Sequence, residues 1–392
     1  MMDLAAQFDA LSINQLRQAG GVKFSTYPDA IGAFVAEMDF GTAPEIVSAV
    51  HTATDAGLFG YLPPQLPLEM STATARWQRD AYGWDVPASR IHPIADVLKV
   101  LELTILHFSK PGSAVIVPTP SYMKFLSTAD ELGRDVIEVP LVRNNGRDEM
   151  DLDGLDKAFR AGGHLLMLCN PFNPLGRVFS RAELVAISEV VERHGGRVFA
   201  DEIHAPLVYE GRKHIPYASI SSETASHTIT GTSAAKAWNI PGLKCAQIIL
   251  SNDADAAIWE PLASAARHGA SNLGVIANTV AYNEGAPWLN GVLSYLDNNR
   301  KILGEQLAAL IPEIGYQPPE GTYVGWLDCR SLGLRESPAD FFREHAGVAL
   351  TDGRSCGRAG EGFVRFIFAT PRPILEQALE RMAQALQRHR LG

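Results

Sequence analysis

The sequence predicts an α/β fold built on a mostly parallel sheet, and two observations support this prediction. Short, continuous apolar runs alternate with longer helical patterns between about residues 97 and 235, which is typical of strands that helices cover on both faces. Polar clusters directly follow three of these runs, at residues 170–173, 201–204 and 233–236. Because ligands of such sheets bind at the carboxyl ends of the strands, the clusters indicate a ligand site.

The individual elements follow from apolar periodicity and from the residues that end each run. Residues 97–108 have the pattern of a helix, and a Lys-Pro-Gly turn then leads into an apolar strand at residues 114–117. Ser180 and Glu183 form a capping-box pattern, which predicts that a helix begins after Ser180. Further strands are predicted at residues 165–169, 198–200, 228–230 and 246–250.

A change in pattern near residue 284 indicates a second, smaller domain. A long helical pattern runs from about residue 283 to residue 310, and a closing helix is predicted over residues 374–389, with short strand candidates between them. We therefore divide the chain into three parts: an N-terminal segment that joins the small domain (residues 1–45), a large ligand-binding domain (46–283) and a C-terminal small domain (284–392).

Composition excludes several classes of protein. The 392 residues are 46% hydrophobic, enough for a sizeable core and about two to three domains. The net charge of −10 and the scattered lysines and arginines argue against a nucleic-acid-binding surface. No stretch approaches the roughly 20 apolar residues of a membrane span, and the first residues lack the features of a secretory leader. We expect a small-molecule partner, no membrane association and a cytoplasmic location.

The four cysteines predict neither a metal site nor a disulfide framework. They are far apart and have no C-x-x-C spacing: Cys169, Cys245, Cys329 and Cys356. We interpret them as ordinary buried thiols in a reducing compartment.

Lys236 is the best candidate for a catalytic residue. Small side chains, an aromatic residue and a Pro-Gly pair surround it, in a region otherwise poor in charge. A lysine that is shielded from water loses its proton more readily, and its amine can then form a Schiff base with an aldehyde cofactor. If the segment is a turn followed by helix, Ser233 and Lys244 lie near Lys236 and together could hold a phosphate.

Several motifs, taken in order, resemble those of the fold-type I pyridoxal 5′-phosphate (PLP) enzymes over nearly the whole chain. They are Tyr61 and residues 119–122 (TPSY), 170–176 (NPFNPLG), 201–204 (DEIH), 233–236 (SAAK) and 362–365 (GFVR). Residues 35–39, 59–61, 201–204, 321–330 and 360–365 further resemble the MalY/PatB branch of cystathionine β-lyases. The resemblance implies an aminotransferase-like fold, in which helices flank a mostly parallel seven-stranded sheet and residues 46–283 bind PLP, with a smaller α+β domain.

The resemblance implies a role for each residue that would face the PLP ring. Asp201 would pair with the pyridine nitrogen and keep it protonated, Asn173 would donate to the ring hydroxyl oxygen, and Tyr122 would stack on the ring. His204 stands where related aminotransferases carry a tyrosine. From the residues alone, plainer interpretations stay open: a helix cap for Asp201, a turn asparagine beside Pro174, a core tyrosine, and a histidine at a helix start.

The resemblance also implies a set of phosphate ligands: Ser233, Lys244 and the backbone amides near Ala95 and Asp96. Tyr61 would reach the phosphate from the other subunit of a homodimer. Asp96 departs from the family pattern, in which an apolar or hydroxyl residue is usual, and its carboxylate would repel a phosphate. We therefore expect Asp96 to point away or to be neutralised. Lys244 stands where many relatives have arginine, so it offers a point charge instead of a bidentate fork.

Arg365 resembles the arginine that binds the α-carboxylate of the substrate, with Asn173 beside it; its plainer interpretation is a surface arginine on a strand. Bidentate pairing would fix the orientation of the bound amino acid. In such enzymes the freed amine, here that of Lys236, removes the Cα proton as general base. The sequence thus predicts a PLP-dependent C–S β-lyase, which cleaves L-cystathionine or a related cysteine S-conjugate to a thiol, pyruvate and ammonia.

Two other functions stay open at this point. An aminotransferase, or another PLP lyase of amino-acid or secondary metabolism, would share all of these residues. A regulatory or interaction protein that keeps a PLP-enzyme fold belongs to a different class, and the complete set of Lys236, Asp201 and Arg365 argues against a loss of catalysis. A serine or cysteine hydrolase is not supported, because the histidines lie near no marked nucleophile in the sequence. Loops such as residues 62–66 and 354–358 would read the distal half of the substrate, and no rule derives its identity from them.

Overall fold

The computed structural model describes residues 4–391, which divide into two compact units. Unit 1 comprises residues 4–41, 173–176 and 290–391, and unit 2 comprises residues 42–172 and 177–289. The predicted domain boundaries at residues 45/46 and 283/284 stay predictions, since compactness alone does not define a domain.

The elements are numbered in chain order. The α-helices are α1 (Leu4–Asp9), α2 (Ile13–Ala19), α3 (Val22–Ser25), α4 (Pro44–Asp55), α5 (Gln65–Trp77), α6 (Val97–His107), α7 (Met123–Glu131), α8 (Leu152–Arg160), α9 (Arg181–Arg193), α10 (Ser222–His227), α11 (Asp253–Trp259), α12 (Ala263–Arg267), α13 (Asn272–Glu284), α14 (Ala286–Leu310), α15 (Pro338–Phe341) and α16 (Arg372–Leu391). The strands are β1 (Ile31–Gly32), β2 (Ile91–Ile94), β3 (Ala114–Thr119), β4 (Val136–Pro140), β5 (Val142–Asn144), β6 (Arg147–Glu149), β7 (Gly163–Cys169), β8 (Arg197–Asp201), β9 (Thr228–Thr232), β10 (Ala246–Leu250), β11 (Gly315–Tyr316), β12 (Val324–Asp328), β13 (Val348–Ala349), β14 (Thr351–Asp352) and β15 (Phe363–Ile367).

Unit 2 is built on a seven-stranded sheet with the order β2-β10-β9-β8-β7-β3-β4. The five strands from β9 to β4 are parallel to one another, whereas β10 is antiparallel to both of its neighbours. Every residue of β9 and β10 is buried, as expected for strands covered on both faces. The predicted fold class is therefore confirmed, and each strand predicted from an apolar run is present.

The central strands of this sheet end in register. Cys169 at the end of β7 is the partner of Asp201 at the end of β8, and Asp201 in turn is the partner of Gly231 in β9. The amide of Asn170 donates to the Asp201 carbonyl at 3.0 Å, and the amide of Glu202 donates to the Gly231 carbonyl at 2.9 Å. The segments that follow these three strands therefore leave the sheet at one edge, which is where ligands of parallel sheets bind.

Helix α9 begins as the sequence predicts. The Ser180 side chain accepts a hydrogen bond from the Glu183 amide at 3.3 Å, and the Glu183 carboxylate accepts one from the Ser180 amide at 2.8 Å. This reciprocal pair satisfies two amides that the helix itself leaves without acceptors. The helix thus starts at a defined residue on the way from β7 to β8.

Unit 1 contains a four-stranded antiparallel sheet, the longest helix α14 from residue 290 onward, and the second-longest helix α16. The sheet has the order β11-β12-β15-β14, and α16 buries an apolar face that includes Leu375, Leu379, Met382 and Leu386 at the spacing of one side of a helix. No helix within residues 4–391 is both long and apolar enough to cross a membrane.

Gly176 permits a close approach between two loops of unit 1. Its φ is +66°, and an added Cβ would lie 2.1 Å from the Pro319 Cβ and 2.9 Å from the Gly321 carbonyl oxygen. We expect Gly176→Ala to lower the free energy of unfolding by roughly 2–5 kcal/mol, because backbone strain and steric overlap add. Urea denaturation would measure the loss. Gly20→Ala is the matched control: its φ is +73° and nothing lies within 4 Å, so equal losses in the two variants would contradict the steric argument.

Candidate active site

Lys236 lies in a hydrogen-bonded turn after β9 and not in a helix. Residues 234–239 form turns, and a short 3₁₀ helix follows at Pro241–Leu243. No α-helix follows the turn within residues 234–245, so the helical spacing on which Ser233 and Lys244 were expected to lie near Lys236 is not present. The reason is that β10 runs antiparallel to β9, so the chain reverses within a short connection that needs no crossover helix. Lys236 is half-buried, and its neighbours Ala235 and Trp238 are buried.

Asp201 provides a buried carboxylate at the end of β8. It is 5% exposed, and its Oδ1 accepts a hydrogen bond from the Ile203 amide at 3.0 Å. Burial raises the pKa of Asp201 to about 7; the Ile203 amide and the positive charge of Lys236 lower it, and the charge of Glu202 raises it further. A buried carboxylate is stable when a cation lies against it, so a protonated pyridine nitrogen fits this position.

A second buried polar pair, which was not predicted from the sequence, includes the residue directly after Asp201. Glu202 Oε2 lies 3.2 Å from Nε2 of His214, and Glu202 Oε1 accepts from the Tyr217 amide at 2.8 Å. The Tyr82 ring meets the His214 ring edge to face, with centroids 4.9 Å apart. The only sequence signal for this pair was the second carboxylate directly after Asp201.

Ser233 is buried, and its hydroxyl joins the end of β9 to the start of β10. It donates to the Cys245 carbonyl at 2.7 Å and accepts from the Ala235 amide at 3.0 Å. The Asn278 side-chain oxygen lies 3.4 Å away. These contacts stabilise the turn that carries Lys236, and the role of Ser233 as a phosphate ligand stays a prediction.

Asp96 is the N-cap residue of α6 and forms an ion pair with Lys244. Its Oδ1 accepts from the Lys99 amide at 2.9 Å, and its Oδ2 lies 2.9 Å from the Lys244 Nζ. The side chains of Lys244 and Asp96 are 60% and 39% exposed. Ala95, the preceding residue, is half-buried and packs against Gly269. A Cβ added at Gly269 would lie 2.7 Å from the Cβ of Ala95. The charge of Asp96 is thus neutralised by the very lysine predicted to bind phosphate.

The other predicted residues of unit 2 differ widely in exposure. Tyr122, directly before α7, is half-buried, and its ring packs edge to face on Phe125 with centroids 5.7 Å apart. His204 is buried. Tyr61 is 100% exposed and Phe59 is 74% exposed. Large rings left open to water in this way are typical of a surface that another chain covers.

Unit 1 brings Asn173 and Arg365 together, and both side chains are buried. Nη1 of Arg365 lies 3.4 Å from the Asn173 side-chain oxygen. Nη2 donates to the Phe34 carbonyl at 2.9 Å and lies 3.4 Å from the Thr351 hydroxyl. Phe34 and Thr351 were not predicted from the sequence, because a backbone carbonyl is available at any residue and a single threonine carries no motif. A guanidinium fixed in this way is suited to a planar carboxylate.

The chain is similar to known proteins over nearly its whole length. The model of the aminotransferase class I and II family matches residues 30–382. The chain is 38% identical to cystathionine β-lyase of Corynebacterium glutamicum, covering 95% of this chain and 99% of that protein. It is 32% identical to cystathionine β-lyase PatB of Bacillus subtilis, covering 91% and 93%. The structure of cystalysin from Treponema denticola, which contains a PLP cofactor, matches with a TM-score of 0.91 at 28% identity, covering 97% and 99%.

Proposed function

The chain belongs to the aminotransferase class I and II family, and from this premise we propose that it is a PLP-dependent C–S β-lyase. It would cleave L-cystathionine, or a related cysteine S-conjugate, with water to a thiol, pyruvate and ammonia. The observation that carries the proposal is the buried Asp201 carboxylate at the end of β8, beside the charge of Lys236 in the turn after the neighbouring strand β9. The 38% identity to a cystathionine β-lyase supports the choice of reaction.

PLP supplies an aldehyde and an electron-withdrawing ring that stabilises negative charge at the substrate Cα. Lys236 would hold the aldehyde through its amine and, once released, would move the Cα proton as general base. Asp201 would hold the proton on the pyridine nitrogen, because its buried carboxylate is costly to ionise alone and a positive charge beside it offsets that cost. Tyr122 would pack on the ring, and His204 would face the ring hydroxyl side.

The α-carboxylate of the substrate would bind to Arg365, with Asn173 beside it and also in reach of the ring hydroxyl oxygen. Bidentate pairing with a planar guanidinium holds a carboxylate in one orientation. That orientation selects which bond at Cα is broken, so Arg365 would act on the choice of reaction as well as on affinity.

For the phosphate of PLP, we propose that Lys244 exchanges its contact with Asp96 for a contact with the phosphate, alongside Ser233 and the amides near Ala95. Lys244→Met is then expected to raise the dissociation constant for PLP about tenfold, because a charged hydrogen bond is lost. Asp96→Asn should lower it, because the amide keeps the cap acceptor for Lys99 but releases Lys244. Equilibrium dialysis with PLP would measure both dissociation constants. If the two substitutions change the dissociation constant in the same direction and by the same factor, the proposed exchange of contacts by Lys244 is contradicted.

We also propose a homodimer in which Tyr61 reaches the PLP site of the other subunit. The exposed Tyr61 and Phe59 border a cavity of about 840 Å³ on unit 2, whose opposite wall comes from residues 260–273. An open cavity with large exposed rings is suited to a second copy of the chain. A cytoplasmic location is part of the proposal, and the four free cysteines are consistent with a reducing compartment.

Product analysis by mass spectrometry would test the function directly. PLP-loaded protein is mixed with L-cystathionine, and pyruvate together with homocysteine is the expected result. A keto acid that keeps the sulfur chain, with the cofactor left in its amine form, would overturn the lyase in favour of an aminotransferase. If PLP binds but no product forms, cystathionine is the wrong substrate and other cysteine S-conjugates are to be tested in the same assay.

A further inference from the structure

The Thr351 hydroxyl and the Phe34 carbonyl form a closed set of contacts with Nη2 of Arg365. Nη2 donates to the carbonyl at 2.9 Å and lies 3.4 Å from the hydroxyl oxygen. The hydroxyl in turn donates to the same carbonyl at 3.0 Å. Each of the three groups therefore contacts the other two, which fixes the direction in which Nη2 points.

Strand pairing places Thr351 beside Arg365. In the antiparallel pair of β14 and β15, Thr351 is directly opposite Arg365, and directly opposed residues carry their side chains on the same face of a sheet. The hydroxyl is therefore held by a strand of the sheet and not by a mobile loop. Groups mounted on strands hold a functional geometry more closely than groups on loops.

The Phe34 carbonyl belongs to a segment that is itself fixed in unit 1. The carbonyl of Ala33 accepts from the Ile367 amide at 2.9 Å, and the carbonyl of Ala36 accepts from the Tyr323 hydroxyl at 3.0 Å. The peptide group between Ala33 and Phe34 is thus anchored to β15, and the Ala36 carbonyl, two residues further along the chain, is anchored to the residue before β12. The carbonyl cannot follow a guanidinium that rotates, so it acts as a fixed reference point.

We propose that Thr351 is a positioning residue for substrate binding: its hydroxyl aligns Arg365 for the α-carboxylate of the amino acid. This inference rests on the proposed role of Arg365 as the carboxylate ligand. Without the hydroxyl, Nη2 loses one acceptor and the carbonyl loses one donor, so the guanidinium plane is less restricted. A bidentate contact requires that plane to be aligned with the carboxylate, and binding of a carboxylate-bearing ligand weakens as a result.

The test compares two ligands that differ only in the carboxylate, L-alanine and ethylamine, on PLP-loaded protein. Binding is followed through the absorbance of the cofactor in wild type, Thr351→Val and Thr351→Ser. Valine keeps the size and branching of threonine without the hydroxyl, and serine keeps the hydroxyl. We expect Thr351→Val to bind L-alanine about 3- to 10-fold more weakly, the usual effect of one hydrogen bond. Its affinity for ethylamine should change less than about twofold, and Thr351→Ser should bind both ligands like wild type.

Each outcome either supports or overturns the role of Thr351 as a positioning residue. If Thr351→Val binds L-alanine as tightly as wild type does, the proposal is overturned. It is also overturned if the affinity for L-alanine and the affinity for ethylamine fall by the same factor, because that result indicates general disruption of the site. If wild type does not prefer L-alanine to ethylamine, the proposed carboxylate role of Arg365 fails, and the role of Thr351 fails with it. Steady-state kinetics with L-cystathionine provide a second measurement that does not depend on these ligands: KM should rise by the same factor in Thr351→Val, with kcat changed less than about twofold.

Discussion

Lys236→Ala is expected to abolish turnover of L-cystathionine, with kcat/KM lowered by about 10⁴-fold or more. Two functions would be lost together in this variant, the amine that holds the cofactor aldehyde and the general base that moves the Cα proton, and a general base alone contributes about 10²–10⁴-fold. Pyruvate release, measured in a coupled assay, would give the rate. The absorbance of bound PLP would shift to that of the free aldehyde, because no amine of the protein then reacts with it.

The fold should tolerate this substitution, which makes the loss of activity informative. Lys236 is half-buried in a turn, so alanine leaves little unfilled space, and the urea midpoint of the cofactor-free protein should fall only by the lost attraction between Lys236 and Asp201. Lys301→Ala serves as the matched control, because Lys301 is an exposed lysine on α14 that pairs with Asp297. A Lys236→Ala protein that keeps more than about 1% of wild-type activity would exclude Lys236 as the catalytic amine.

The sheet of unit 2 was predictable because its strands are continuous apolar runs with polar residues directly after them. Asp201 and Lys236 follow two such runs, and parallel pairing in register brings the strand ends together whatever the connecting helices look like. The strand β2 was not predicted, because it is only four residues long and its third residue is Pro93. A proline lowers the strand signal of so short a run.

The surroundings of the site were predicted less well than its principal residues. Asp96 and Lys244, which form an ion pair, are 148 positions apart in the sequence. The residues around Asp96 indicated only that its carboxylate would need a positive partner beside a phosphate, and did not identify that partner. The contacts of Arg365 with Phe34 and Thr351 likewise depend on strand register and on a backbone carbonyl. Strand register and backbone carbonyls do not produce a recognisable sequence motif, so such contacts can be identified only from the three-dimensional structure.

Asp201→Asn is expected to change activity and stability in opposite directions. Asparagine keeps a side-chain oxygen for the Ile203 amide, the bond that Asp201 makes at 3.0 Å, but it cannot ionise. The PLP-loaded variant should lose about 100-fold or more in kcat/KM, because the charge that holds the proton on the pyridine nitrogen is gone. The cofactor-free variant should be more stable than wild type near neutral pH, because it no longer buries a carboxylate that has no bound pyridinium to pair with.

The gain in stability should depend on pH in a defined way. The pKa of Asp201 is raised to about 7 in the folded protein, whereas an aspartate in the unfolded chain has a pKa of about 3.9. Between these values the unfolded chain binds fewer protons, so the contribution of Asp201 to the stability of the folded state falls as the pH rises. The stability of Asp201→Asn relative to wild type should therefore grow by roughly 2–3 kcal/mol from pH 5 to pH 8.

Urea denaturation of the cofactor-free proteins at several pH values would measure this trend. Asp253→Asn is the control, since it makes the same substitution at a side chain that is 96% exposed and pairs with Arg90 at the surface. A residue that only supported the fold would lower stability and activity together when replaced. A carboxylate that lowers the stability of the cofactor-free protein, yet is required for activity of the PLP-loaded protein, is instead typical of a residue selected to bind a cation. A stability difference between Asp201→Asn and wild type that does not change with pH would therefore count against Asp201 as the partner of the pyridine nitrogen.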